Sequence, residues 1–205
     1  MKIYAQEISD GLKEAMEENS TIAYASPVLA YTPSDIETKK IEGFIQSQGE
    51  NKDQLDLYYL SSVLVSTGWN KNDDVFDRDE TWTARKTPED KQFNFMHDES
   101  DIIGHITGNY VVDFDGNPID DNTEDISSDF NIVTTAVLYT SWGDVDLKTR
   151  MNSIIEEIQE GNKWFVSMEC LFPNFDYALL DSQGGMKIVQ REEASAFLTK
   201  HLRAY

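Results

Sequence analysis

The chain has 205 residues and a mass of 23.4 kDa, and 40% of its residues are hydrophobic, which excludes a disordered chain and allows one well-buried core. Its formal net charge of −21 would repel phosphate backbones and anionic lipid, so we expect no direct nucleic-acid or membrane binding. No apolar run approaches the roughly 20 residues of a bilayer span, and residues 1–7 lack the features of a secretory signal. The single cysteine, Cys170, excludes an intrachain disulfide, so a reducing cytoplasm is the expected setting.

Apolar periodicity and turn residues predict a mixture of helices and strands in the first half of the chain. These elements are helices at 6–18 and 33–47, a loop at 48–54, a strand at 55–67, a turn at 68–74 and a helix at 78–86.

The second half is richer in strand patterns, and its clearest helix repeats apolar residues up to Gly161. Its predicted elements are strands at 101–113 and 130–140, separated by a turn at 115–118 and an acidic loop at 119–129, a helix at 145–160, strands at 164–172, 176–181 and 186–191, and a helix at 192–203. The order predicts an α+β protein with mostly antiparallel pairing and one principal domain.

Only three histidines occur in the chain, and His97 is the most promising for catalysis. It lies in a polar and aromatic segment that leads into a strand, where reactive groups are often mounted. His105 falls within the predicted strand and is interpreted as packed or solvated, and His201 has no motif around it.

Ser167 lies within Trp164–Phe172, where strand alternation would place it on the same face as Glu169. A strand serine is usually inert, because its hydroxyl needs a neighbouring base to become a nucleophile. Cys170 would fall on the opposite face and is interpreted as a small buried hydrophobic residue rather than a thiol nucleophile.

Three separated segments resemble the head-maturation (prohead) serine proteases of tailed bacteriophages. They are the histidine region from Asn70 to Ile106 with Asn94-Phe95-Met96-His97-Asp98 at its centre, the serine region Trp164–Phe172 followed by Asp176-Tyr177-Ala178-Leu179, and the stretch Ala196–Tyr205. The resemblance covers roughly residues 57–205 and is consistent with a protease domain at 51–205 preceded by a helical extension at 1–50. Because it runs up to Tyr205, we expect the chain to be shortened or processed there.

The resemblance implies the fold of this family, which herpesvirus capsid proteases (assemblins) share: a mainly antiparallel β-barrel surrounded by helices. It also implies a serine endopeptidase without a cofactor or metal, acting in the host cytoplasm within the assembling prohead. Capsid and scaffold proteins of the virion would be its substrates. A homo-oligomer stays open, and we expect full activity to require an oligomer or a partner.

By the same resemblance, Ser167 is the nucleophile and His97 its general base, 70 residues earlier in the chain. For the third member we favour Glu192, with Glu193 next and Glu169 third, whereas Asp98 is a poor choice beside His97. Arg191 and Arg203 are both candidates for stabilising the oxyanion, and the sequence does not choose between them.

Other functions stay open beside the protease. A prohead scaffold or structural protein could keep the protease fold without cleaving, and a hydrolase of another class, such as an esterase, could use the same serine. Asp113–Asn117 superficially matches a calcium loop, but its glycine is misplaced, so a hairpin turn is preferred.

Overall fold

The computed structural model describes residues 2–13, 26–30, 57–70, 74–124, 126–168, 170 and 174–202; the predicted helix at 33–47 and loop at 48–54 lie outside them. The chain divides into two compact units. The sheet unit comprises Tyr24–Thr67 and Asp77–Val166, and the terminal unit comprises Met1–Ala23, Gly68–Phe76 and Ser167–Tyr205. Neither unit begins or ends at the predicted boundary between residues 50 and 51.

The described strands pair antiparallel throughout. In chain order they are β1 (Ser26–Pro27), β2 (Leu29–Ala30), β3 (Leu57–Ser66), β4 (Gly68–Trp69), β5 (Val75–Phe76), β6 (Gln92–Phe95), β7 (Asp98–Asp113), β8 (Pro118–Ile119), β9 (Phe130–Tyr139), β10 (Phe165–Val166), β11 (Tyr177–Leu180) and β12 (Met186–Val189). The helices are α1 (Ala5–Ser9), α2 (Arg78–Ala84), α3 (Val145–Gln159) and a 3₁₀ helix (Ala196–His201).

Six strands form the main sheet of the sheet unit, in the order β2-β3-β9-β7-β6 with β8 paired to β7. Its long central strands confirm the predictions at 55–67, 101–113 and 130–140, where β-branched and aromatic residues dominate. The α+β class with mostly antiparallel pairing is therefore confirmed. Among the described strands the sheet does not close into a barrel.

Helix α3 confirms the clearest helix prediction and covers one face of this sheet. The Asp144 carboxylate accepts hydrogen bonds from the amides of Asp146 and Leu147, which fixes the start of the helix. Gly161, with φ of 83°, ends it in a Schellman turn. The shared core consists of Leu60, Ile103, Ile106, Ala136, Leu138, Met151, Ile154 and Ile158.

The turn between β7 and β8 is the predicted hairpin turn. The Asp113 carboxylate accepts hydrogen bonds from the amides of Asp115 and Asn117 and from the Asn117 side chain, and Gly116 adopts φ of 86°. These bonds, led by that from the Asn117 side chain, lower the pKa of Asp113. The carboxylate is thus used to close the turn.

The terminal unit departs from the predicted helices at both ends of the chain. The helix predicted at 6–18 is interrupted: α1 ends at Ser9 and Gly11 has φ of 82°, Leu12 and Lys13 are helical again, and residues 14–18 lie outside the described part. The helix predicted at 192–203 is a 3₁₀ helix that begins only at Ala196, after a turn in which Ser195 Oγ donates to Gln190 O and accepts from the Glu192 amide.

Strands β11 and β12 form a hairpin in which Tyr177 is the one buried residue of the two strands. Tyr177 is buried and its partner Val189 is half-buried. On the opposite face Leu180 is 63% exposed, and Met186 and Ile188 are also exposed. The hairpin therefore presents an apolar face to solvent.

Candidate active site

His97 lies at the tip of the hairpin that joins β6 to β7. Phe95 pairs with Asp98, so Met96 and His97 form a two-residue turn, and both adopt left-handed backbone conformations with φ of 53° and 60°. This is the type I′ geometry, which normally selects Asn and Gly and costs other residues about 1 to 2 kcal/mol each. His97 is exposed, and no described residue of the sheet unit forms a hydrogen bond with its ring.

An aromatic and charged cluster supports this hairpin at its base. The Arg150 guanidinium lies 4.6 Å from the centroid of the Phe95 ring and makes a bidentate pair with Asp101 at 2.7 and 2.8 Å. On α3, the carboxylate of Glu157 accepts a hydrogen bond from the Trp164 indole at 2.9 Å. The rings of Phe95 and Trp164 have centroids 6.4 Å apart.

Ser167 follows β10 directly and is exposed. Phe165 is also exposed while Trp164, Val166 and Met168 are half-buried, so the predicted alternation holds this far. The strand predicted at 164–172 is wrong in length, since among its described residues Phe165–Val166 is strand while Trp164, Ser167, Met168 and Cys170 are not. In the antiparallel pair with β1, Ser26 lies opposite Val166 and Pro27 lies opposite Phe165.

The proposed nucleophile and base belong to different units, Ser167 to the terminal unit and His97 to the sheet unit. Within the sheet unit, Phe95 and Trp164 connect the segments that lead to them, two residues before His97 and three before Ser167. No described residue of the terminal unit forms a hydrogen bond with Ser167 Oγ. The segments that lead to His97 and to Ser167 thus both begin at the aromatic and charged cluster of the sheet unit.

The acidic residues that are candidates for the third catalytic residue, beside Ser167 and His97, differ in their surroundings. Glu192 and Glu193 are exposed in the turn before the 3₁₀ helix, beyond the end of β12 at Val189 rather than directly after a strand ending at Arg191. Asp98 accepts hydrogen bonds from the Ser100 side chain and amide, which lower its pKa. Glu169 lies outside the described residues.

Cys170 is exposed, which corrects the prediction of a buried small residue; the strand alternation that placed it inside ends before it. Desolvation of the thiol nevertheless raises the pKa of Cys170. A raised pKa lowers the thiolate fraction that a cysteine nucleophile needs.

The other two histidines differ in their burial: His105 is half-buried and His201 is exposed. His105 Nδ1 lies 3.0 Å from the Tyr139 hydroxyl, and the two rings pack with centroids 5.8 Å apart. His201 is exposed at the end of the 3₁₀ helix. Of the two alternatives for His105, packed or solvated, the contact with Tyr139 favours the packed one.

Arg191, one of the two candidates for stabilising the oxyanion, is buried. Its guanidinium contacts the Glu7 carboxylate twice, from Nε to Oε1 at 2.7 Å and from Nη2 to Oε2 at 2.6 Å. Glu7 is fully buried and Arg191 is 5% exposed. The guanidinium is thus committed to an interior ion pair, and Arg203 lies outside the described residues.

Nothing in the sequence marks Glu7 as a buried or functional residue. Its carboxylate also accepts hydrogen bonds from the Tyr177 hydroxyl at 2.9 Å and the Tyr4 amide at 2.8 Å. Burial raises the pKa of Glu7, but the hydrogen bonds and the charge of Arg191 outweigh it, so the net shift is downward. Because α1 buries Glu7 and leaves Ile8 65% exposed, apolar periodicity gave no signal for this pair.

No family model, no curated protein and no solved structure matches the chain. In the part of the chain that the structure describes, no helix is long and apolar enough to cross a membrane. Nor do His, Cys, Asp and Glu side chains there form a group of three or more that could hold a metal ion.

Proposed function

We propose that this protein is a serine endopeptidase of the phage capsid-maturation type. The observation that carries the proposal is the contact between Phe95 and Trp164, which joins the bases of the two segments that resemble the family's histidine and serine regions. Two further observations support it: His97 and Ser167 are both exposed, and His97 has the unfavourable backbone conformation often found at functional sites.

In this mechanism Ser167 Oγ attacks the scissile carbonyl and His97 takes the hydroxyl proton, which it then gives to the leaving amine. Water, activated by the same imidazole, hydrolyses the acyl-enzyme and regenerates Ser167. Glu192 orients the imidazole and stabilises its charged form. No cofactor or metal takes part.

The proposal includes the closed barrel of this family, with helices around it. Its support is the six-stranded antiparallel sheet with α3 packed across one face. The proposed substrates are capsid and scaffold proteins inside the assembling prohead, in the host cytoplasm. Nucleic acid and membrane are not proposed as partners, given the net charge of −21.

The test is cleavage of the capsid and scaffold proteins when they are co-expressed with the full chain, followed by mass spectrometry of the fragments. Ser167→Ala and His97→Ala should each reduce cleavage by at least about a thousandfold. Ser182→Ala and His201→Ala change exposed residues of the same types and should cleave normally. Cleavage that persists in folded Ser167→Ala would overturn the assignment.

A non-catalytic prohead scaffold or structural protein is the second candidate. The exposed apolar face of the β11–β12 hairpin favours it, because contiguous exposed apolar residues commonly mark surfaces for assembly. If wild-type protein never cleaves under assembly conditions, while Leu180→Ser prevents incorporation into proheads, this candidate replaces the protease.

A further inference from the structure

One residue of the terminal unit, Arg191, holds the N-terminal segment and the stretch that follows Ser167 together. Its Nη2 donates to Lys2 O at 2.7 Å in addition to Glu7, and its Nη1 donates to Asn174 Oδ1 at 2.9 Å. Its amide donates to Asp176 Oδ1 at 2.8 Å. The guanidinium also lies 4.8 Å from the centroid of the Phe175 ring.

These contacts reach three consecutive residues, 174–176, directly before β11. This is where the described chain resumes seven residues beyond Ser167. The first residue of β11, Tyr177, is held in the same network, since its hydroxyl donates to Glu7 and lies 2.8 Å from Thr199 Oγ1. Residues 174–177 are therefore connected to α1 through the ion pair of Glu7 and Arg191.

Glu7 supplies the only carboxylate among the described partners of the Arg191 guanidinium. Without it the guanidinium would keep its charge while buried, because arginine does not lose its proton in proteins. Loss of one member of a buried pair is strongly unfavourable, so the guanidinium would move toward water. Asn174, Phe175 and Lys2 would then lose the contacts that hold them.

We propose that residues 2–9 act as a lock on residues 174–176 and the β11–β12 hairpin, with Glu7 and Arg191 as its positioning residues. Engagement of Glu7 keeps 174–176 and the β11–β12 hairpin ordered, and withdrawal of Glu7 releases them. The contacts of Glu7 and Arg191 support the lock independently of any catalytic role. Its effect on catalysis rests on the proposed function.

Hydrogen exchange of the full-length chain, read by mass spectrometry, tests the lock directly. In Glu7→Gln and in Arg191→Met, amides of 177–189 should exchange about 100-fold faster, whereas β7 and β9 of the sheet unit should be unchanged. In the double variant these amides should exchange only slightly faster than in the more affected single variant, since both changes remove the same ion pair. Tyr177→Phe, which leaves the ion pair intact, should give a smaller increase at the same amides.

Asp10→Asn is the matched control, because Asp10 is an acidic residue beside Glu7 whose carboxylate accepts a hydrogen bond only from the Gln6 side chain among the described residues. It should leave exchange unchanged. The lock is overturned if Glu7→Gln and Tyr177→Phe leave 177–189 as protected as in wild type. It is also overturned if β7 and β9 lose protection equally, which would make Glu7 a contributor to global stability alone.

Labelling of Ser167 by a fluorophosphonate separates the lock from the proposed function. Glu7→Gln should slow labelling by at least tenfold, with Ser167→Ala as the blank. If wild-type Ser167 is not labelled, the protease assignment fails while the exchange data still decide the lock. If labelling is equally fast in Glu7→Gln, the lock does not position Ser167.

Discussion

Phe95 and Trp164 pack with their ring planes tilted by 47°, although 69 positions separate them in the sequence. Phe95 also accepts the Arg150 guanidinium on its face, so the hairpin of His97, helix α3 and the strand before Ser167 share one cluster. A change in either aromatic ring should therefore affect both of the segments that the proposed chemistry requires.

Phe95→Ala should destabilise the sheet unit by about 2 to 3 kcal/mol, because it removes a half-buried ring from the core and leaves a void. Phe114→Ala, in the exposed turn after β7, is the control and should stay within about 0.5 kcal/mol of wild type. Urea denaturation monitored by circular dichroism measures both. Equal effects of the two substitutions would show that the cluster does not support the hairpin.

The turn at Met96 and His97 allows strain and chemistry to be separated. Glycine tolerates a positive φ, so Met96→Gly and His97→Gly should each stabilise the protein by about 1 kcal/mol in thermal unfolding. Only His97→Gly should abolish cleavage. If Met96→Gly abolishes cleavage as well, the shape of the hairpin matters rather than the imidazole.

Gly104 marks a close approach of β7 to β9. A Cβ at this position would lie against the carbonyl oxygen of Val137 and 3.0 Å from its carbonyl carbon, both backbone atoms that cannot move aside. Gly104→Ala should therefore cost about 3 kcal/mol or more, measured as a lower urea midpoint. Gly143→Ala, where a Cβ meets nothing within 4 Å, should be nearly neutral, and a similar loss there would contradict the steric explanation.

The buried pair of Glu7 and Arg191 should make the terminal unit sensitive to acid. Because the pKa of Glu7 is lowered in the folded protein, its contribution to stability is complete above its ordinary pKa of 4.5. That contribution is lost as the pH falls through the lowered pKa. Hydrogen exchange of 177–189 between pH 6 and 3 should show this loss in wild type and not in Glu7→Gln; parallel curves would contradict it.

The sequence predicted the elements whose residues carry their own periodicity. Strands β3, β7 and β9 contain long runs of apolar and β-branched residues, and helix α3 buries Met151, Ile154 and Ile158 at helical spacing, so their patterns are strong. The predicted strand at 164–172 is too long, because its alternating residues continue past Val166, where the pairing with the distant strand β1 does not. The alternation of residues in one strand does not show where the pairing with another strand ends.

The candidate site was less predictable than the fold. His97 and Ser167 were selected as candidates through the resemblance to a family. The composition of the chain does not predict that either side chain is exposed. Asn and Gly usually indicate a left-handed two-residue turn, but positions 96 and 97 are Met and His, so the sequence did not predict this turn. Glu7 was not singled out, because its burial becomes favourable only through Arg191, which is distant in the sequence.

Glu7 and Arg191 lie 184 positions apart, nearly the full length of the chain. During synthesis Glu7 leaves the ribosome 184 residues before its partner Arg191. The central sheet can assemble from the residues between them, whereas this pair must wait and then close a very long loop. We therefore expect folding in two stages, in which the main sheet forms first and α1 contacts residues 174–176 only after Arg191 has been synthesised.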